Sequence, residues 1–321
     1  MNLVGTEAPL GAATREAFGE ELLGLGREHP EVVVIDGDVN NSTYTNKFLQ
    51  AFSERFFQIG IAESNMVGIA SGLAACGKVP FVSSFAAFLI NNAYEQLRMS
   101  VAYPGLPVKC VGTHAGISIG EDGPSQMAIE DVAAARALAG FAVLVPADEK
   151  SARSAIRAAY AHSGPVYVRT GRPKAPVVYQ DGVEVRLGRA IVVRDGGDVT
   201  LLANGLMVAA AVGAADALAK EGVRARVLDM VSTKPLDEDA VARAARETGA
   251  LVVAEEHLHA GGLGAAVAQA VAAAAPAPIE FVDIGDRYAE SGSPEELMRH
   301  YGLTAADVTR AAKRALERKR R

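Results

Sequence analysis

FFQIGIAESNMVG, residues 56–68, decides the fold. Phe56, Phe57, Ile59 and Ile61 make an apolar run, and after Ser64 the residues Met66, Val67, Ile69 and Leu73 recur at helical spacing. A strand therefore ends near Glu63 and a helix follows it. In open α/β sheets ligands bind where the carboxyl ends of strands meet helix starts, so an acid here is placed to meet one. The same carboxylate suits a plain helix start, because acids favour the first turn. Spacing alone leaves both readings open.

Working outward toward the N-terminus, Val32 to Ile35 reads as a buried parallel strand. Before it, Thr14 stands as an N-cap for a helix whose Phe18, Leu22 and Leu25 share one face. After it comes Asp36-Gly37-Asp38-Val39-Asn40-Asn41-Ser42-Thr43, rich in turn formers, which suits a ligand loop or an ordinary surface turn. Toward the C-terminus, Lys78 to Ser84 is a second strand, followed by Phe85 and Phe88 at i and i+3 and a helix through Tyr94, Leu97 and Val101. With 6% aromatic residues and no Trp, this pair is either core or a stacking platform for a flat ring.

Val108 to Gly112 is a third strand and ends in a long loop, Thr113 to Gln126, that carries His114, Glu121 and Asp122. Long loops in compact domains tend to be functional. Helices near 129–139 and 148–162 and strands near 141–145 and 165–170 complete the sheet. Arg172 then leaves it as a candidate anion clamp or a surface residue. These elements predict an α/β protein of two three-layer domains: 1–175, a linker 176–188 without clear periodicity, and 189–321. In the second domain, strands are expected near 189–194, 199–203, 224–229, 250–254 and 279–283, with helices near 206–221, 236–248 and 263–274. Gly261-Gly262-Leu263-Gly264 lacks the full dinucleotide pattern and reads as close helix packing. Glu255, Glu256, His257 and His259 lack a third ligand of evident spacing and read as interface or structural residues, so no metal site is assigned to this chain.

A length of 321 residues with 50% hydrophobic and 22% charged residues is an ordinary balance for a soluble two-domain protein. A net charge of −6 argues against nucleic acid, and the basic end, Lys313 to Arg321, reads as a solvated helix terminus. No stretch is apolar enough for a membrane span and no signal segment is evident. Cys76 and Cys110 lie in apolar runs and read as reduced core residues, which fits the cytoplasm.

Five blocks now support a family: GIAESNMVGIASGLA, SSFAAF, THAGISIGEDGPSQMAIEDVA, VPAD, and EEH followed by GGLGAAV, in that order. Across residues 11–305 the chain resembles the C-terminal half of transketolase, as found where that enzyme is split into two subunits. The resemblance implies a pyrimidine-binding domain and a transketolase C-terminal domain working with thiamine diphosphate and Mg²⁺. It implies that Glu63 bonds N1′ of the aminopyrimidine and that Phe85 and Phe88 pack around that ring. A carboxyl shielded from water holds a proton more readily, and sharing it with N1′ favours the imino tautomer that deprotonates the thiazolium. His114 is implied as a second catalytic group. Arg15, Ser42, His114, Asp122, Gln126 and Arg172 match substrate-channel positions, and Asp38 matches one near the cofactor.

The chain departs from the family pattern at Gln126, where histidine is usual, and at Asn91-Asn92, where split transketolases often carry Gly-Arg. Gln126 cannot change protonation, so a modified sugar or another acyl donor stays open as substrate. The family's Gly-Asp-Gly motif with its following asparagine, which holds the diphosphate through Mg²⁺, has no match here. The resemblance thus implies that the diphosphate domain is a separate N-terminal subunit, in an α₂β₂ heterotetramer acting on sugar phosphates. The alternatives are the β subunit of a 2-oxoacid dehydrogenase or a deoxyxylulose-phosphate-type synthase, and a non-catalytic scaffold. Keeping Glu63 beside two phenylalanines speaks against the scaffold.

Overall fold

Seven strands form the first sheet, in the spatial order Ser232–Lys234, Ala142–Leu144, Val166–Arg169, Lys109–Thr113, Val79–Phe85, Val32–Asp36 and Phe56–Gln58. All neighbours run parallel except the first pair. These elements belong to a computed structural model that describes residues 3–319. Met1, Asn2 and the last two residues of the predicted basic end, Arg320 and Arg321, lie outside them.

Alternation along the strands builds three layers. In Val32–Asp36, Val33 and Ile35 pack with Met66, Val67 and Leu97 on one face, while Val32 and Val34 pack with Phe18, Leu22 and Leu25 on the other. Period-two side chains buried on both faces are what a parallel strand between two helical layers requires. Each such side chain contributes about 1.5–3 kcal/mol when fully buried.

The second sheet repeats the scheme with the order Ile279–Val282, Leu251–Ala254, Val199–Ala203, Ala225–Asp229 and Ile191–Arg194, the last antiparallel. Leu201 and Val252 face one core, and Leu202, Leu251 and Val253 the other. Local signals set its helices. Asp237 caps Glu238–Thr248, which ends at Gly249 with φ 62°, and Ser293 and Glu296 form a capping box for Pro294–His300.

Several expectations change. Cys110 is buried in the core, but Cys76, at the end of Glu63–Ala75, is exposed. Thr14 does not cap its helix: Thr14–Glu28 begins at Thr14 itself, whose hydroxyl accepts the N–H of Gly171 at 2.8 Å. The polar stretch after Asp36 is partly helical, over Asn40–Thr43. Asp36 shapes it, taking Val39 N at 2.8 Å, Thr43 Oγ1 at 3.1 Å and Thr45 Oγ1 at 2.8 Å. Lys174–Pro176 is a strand paired with Leu10–Ala13, and Asp148, cap of Glu149–Ala161, also takes the N–H groups of Val178 and Tyr179. Ser232–Lys234 leaves the second domain to edge the first sheet, a register that no local pattern signals. The C-terminal helix Ala305–Lys319 is ion-paired and not simply solvated, with Arg314 and Arg318 on Glu280 and Lys313 on Glu221.

Candidate active site

Strand order places the site. From Val32–Asp36 the chain moves to the edge strand Phe56–Gln58, then returns across to Val79–Phe85 on the other side. The direction of winding reverses there, and the crevice beyond the carboxyl ends of such strands is where α/β sheets bind ligands. Gly37, Ser84 and Glu63 meet at this crevice. A Cβ on Gly37 would lie 3.0 Å from Met66 Sδ and 3.4 Å from Ser84 Oγ, so the backbone passes close behind them.

Glu63 is the first residue of Glu63–Ala75 and is 5% exposed. It caps no N–H of that helix. Its Oε1 accepts the Ser84 hydroxyl at 2.9 Å, and Oε2 takes no hydrogen bond among the described residues. Beside Ser84, the rings of Phe85 and Phe88 lie nearly parallel, 9° apart with centroids 5.9 Å apart, and both are half-buried. His114 stacks on Phe85 at 3.9 Å. An open carboxylate oxygen and flat half-open rings fit an aminopyrimidine, which offers a nitrogen acceptor or donor at its edge and a π face.

His114 is buried, and its Nδ1 meets Thr113 Oγ1 at 2.7 Å. Burial, then the nearby guanidiniums of Arg15 and Arg172, push its pKa down to about 3, so the ring is neutral at physiological pH. Its φ of 60° is left-handed; among the described residues the other non-glycine positive φ values are Asp38 at 67° and Tyr44 at 63°. All three lie on loops at or near this edge of the sheet, where backbone strain of about 1–3 kcal/mol per residue tends to collect.

The remaining predicted residues fall into two groups. Arg15 donates to the carbonyls of Ser42 at 2.5 Å and Arg172 at 3.2 Å, while Arg172 donates to the Ile119 carbonyl at 2.6 Å. Arg15, Ser42, Arg172 and His114 thus converge, and burial lowers the pKa of Arg15. Asp122 and Glu121 pair with Arg172 at 3.8 and 3.4 Å. Asp38 and Gln126 stand apart. Asp38 is exposed and exchanges hydrogen bonds with Gln58, and Gln126 accepts from its neighbour Ser125.

Sequence reasoning gave Ser84 no role of its own, placed Glu121 in the loop without a partner, and read Glu256 only as an interface or structural residue. Ser84 adjoins Phe85 in the SSFAAF block, which was the available signal; the other two depend on contacts distant in sequence. Glu255, Glu256, His257 and His259 do not gather into a metal cage, and no group of three or more His, Cys, Asp and Glu among the described residues does. Glu255 accepts the N–H groups of Leu263 and Gly264, both at 2.7 Å, at the start of Leu263–Ala274. A Cβ on Gly262 would lie 2.3 Å from that carboxylate and one on Gly264 3.0 Å from Phe281, which is close packing of a helix start. Among the described residues no helix is long and apolar enough to cross a membrane.

Residues 11–177 match the family model "Transketolase, pyrimidine binding domain", and residues 188–308 match "Transketolase, C-terminal domain". The 6-deoxy-6-sulfo-D-fructose transketolase subunit SqwH of Clostridium sp. (strain MSTE9) is 41% identical over 95% of this chain and 95% of its own length. Transketolase of Homo sapiens is 37% identical over 94% of this chain, which corresponds to 48% of that protein. A solved structure, "Split gene transketolase, inactive beta4 tetramer", superposes with a TM-score of 0.91 at 46% identity, covering 96% of this chain and 100% of that one. With both domain models matched in order and full-length likeness to split subunits, the chain belongs to the transketolase family.

Proposed function

We propose that this chain is the C-terminal subunit of a thiamine diphosphate-dependent transketolase, moving a two-carbon ketol unit between sugar phosphates. The observation that carries the reading is the half-satisfied Glu63 carboxylate beside Phe85 and Phe88 at the winding reversal. When bound, thiamine diphosphate supplies the nucleophilic carbon and the electron sink for the ketol unit. Glu63 would hold the hydrogen bond at pyrimidine N1′, with Ser84 orienting its other oxygen. Phe85 and Phe88 would pack against the ring, and Asp38, by its match to the family position, is assigned to the cofactor side.

His114, neutral and desolvated with its Nδ1 on Thr113 Oγ1, would act at substrate hydroxyls as a hydrogen-bonding group through its other ring nitrogen. Arg15 and Arg172, with Ser42, clamp the substrate phosphate through charge-assisted bonds. Asp122, beside Arg172, and Gln126, by its match to the family position, are assigned to the sugar side.

The diphosphate and Mg²⁺ belong to an N-terminal partner subunit, in a cytoplasmic α₂β₂ heterotetramer. Two likenesses support this. The chain corresponds to about half of human transketolase, and a split-gene relative forms an inactive tetramer of β chains. The second reading, a transketolase for a modified sugar, is favoured by Gln126 and by the relative named for 6-deoxy-6-sulfo-D-fructose.

The test is co-purification with the neighbouring thiamine-binding subunit, followed by a transfer assay with xylulose 5-phosphate and ribose 5-phosphate. Turnover by the complex and none by the isolated chain is expected. Full turnover by the chain alone defeats the split-subunit reading. A complex that binds cofactor, ignores those sugars and accepts the sulfo-sugar establishes the second reading, with Gln126 and Asn92 the first residues to exchange.

A further inference from the structure

The loop that carries the substrate-side residues lies on the second domain. Gly116, Gly120 and Gly123 have φ of 84°, 88° and 77°. A Cβ on them would come 2.2 Å from Glu256 Oε1, 2.9 Å from Pro294 Cδ and 2.3 Å from Ser291 Oγ. Only glycine permits both the left-handed backbone and that approach. A side chain of the second domain bonds the loop directly: Glu256, 5% exposed, accepts Ser118 N–H at 2.6 Å.

Glu256 is itself held. Arg169, paired with Asp131 at 2.9 Å, donates to the carbonyls of Glu256 at 3.0 Å and Ala128 at 2.9 Å. Leu258 N–H donates to the Ile129 carbonyl at 2.8 Å. The turn Ile117–Ile119 therefore rests on a carboxylate whose backbone is held in place, and its last residue presents the carbonyl that Arg172 grips at 2.6 Å.

We infer that Glu256 of the second domain is a positioning residue for the substrate's anionic group: it sets the Ile117–Ile119 turn, and through the Ile119 carbonyl it aims the Arg172 guanidinium. The inference rests on the phosphate-clamp role given above to Arg172. A carboxylate suits the task because its bond to a backbone N–H is charge-assisted and short. Aim matters because a small displacement of a positioning group degrades recognition far more than its distance implies.

The experiment uses the complex with the thiamine-binding subunit and two readouts. Calorimetric titration with inorganic phosphate compares wild type, Glu256→Ala and Glu256→Gln, and steady-state kinetics compare ribose 5-phosphate with unphosphorylated glycolaldehyde as acceptor. Glu256→Ala is expected to weaken phosphate binding and raise KM for ribose 5-phosphate by about tenfold, the worth of a hydrogen bond to a charged group. The glycolaldehyde KM stays unchanged, and Glu256→Gln, which keeps an acceptor oxygen, retains most of the affinity. Where Glu256→Ala does not fold, Glu256→Asp carries the test, keeping the charge beside Arg169 but withdrawing it by one methylene. Unchanged phosphate affinity, or equal losses with both acceptors, overturns the inference. A wild-type complex that binds phosphate but transfers no ketol unit defeats the proposed function alone, and the phosphate titration still decides the role of Glu256.

Discussion

Glu63 and Glu255 each stand between a parallel strand and the helix after it, one in each domain, and their carboxylates meet different fates. Both oxygens of Glu255 are consumed by the N–H groups of Leu263 and Gly264, and the negative charge faces the positive end of a helix. Glu63 opens its own helix without capping it, spends one oxygen on Ser84 and leaves the other without a hydrogen bond among the described residues. The first is a closed structural contact. The second is an open one at the place where the sheet reverses its winding. Two acids in the same local setting thus separate only when their partners are counted.

Breaking the open carboxylate should have the largest effect. In the reconstituted complex, Glu63→Gln is expected to lower kcat by about 10²–10⁴-fold, the usual worth of a positioned proton-handling group. Normal turnover would erase the contrast by making Glu63 a bystander. Breaking the closed one should strike stability: Glu255→Ala leaves two buried N–H groups without an acceptor, each worth about 1–3 kcal/mol. Urea unfolding of the isolated chain reads that loss, and an unmoved midpoint would show that the contact is idle.

Proton linkage extends the comparison to another pair. Burial and guanidiniums lower His114 to about 3 from 6.5, so the folded chain binds fewer protons there than the unfolded one between those values. Its stabilisation is present above about pH 6.5 and is lost as pH falls toward 3, by about 1.4 kcal/mol per unit at most. Asp229, fully buried with Tyr179 donating to it at 2.7 Å, runs the other way. Desolvation raises it from 3.8 to about 8, so its contribution is present below 3.8 and fades as pH rises through 8. His114→Asn should therefore flatten the acid side of a stability profile, and Asp229→Asn the side from pH 4 to 8, as read from urea midpoints across pH. Parallel profiles in variant and wild type would refute either assignment.

The smallest expected effect lies on the Glu63 helix. Gly68 has open space where a Cβ would stand, so Gly68→Ala should stabilise the isolated chain by about 0.5–1 kcal/mol through helix propensity. A loss instead would mean that this face is already occupied in the chain's own assembly.

Much of the fold was legible because its signals are local. Apolar runs such as Val32 to Ile35, broken by turn formers, mark the strands, and helical spacing after Ser64 marks the helix. The candidate site was legible mainly through motif blocks, since periodicity left Phe85 and Phe88 open between core and platform. Thr14 shows where local reasoning fails: its hydroxyl chose Gly171, far along the chain, over its own helix. Ser232–Lys234 fails similarly, because an edge strand borrowed from another domain obeys no nearby pattern.

By itself, the sequence determined the alternation of strand and helix, the cores on both faces of each sheet and the placing of an acid at a strand-to-helix junction. Tertiary structure alone decided that Glu63 stays half-satisfied while Glu255 is saturated, that His114 is desolvated between two arginines, and that Glu256 reaches the turn at Ser118. The physical reason is range. Hydrophobic periodicity is written in neighbours a few residues apart, whereas desolvation and hydrogen-bond completion depend on groups that only the folded chain brings into contact.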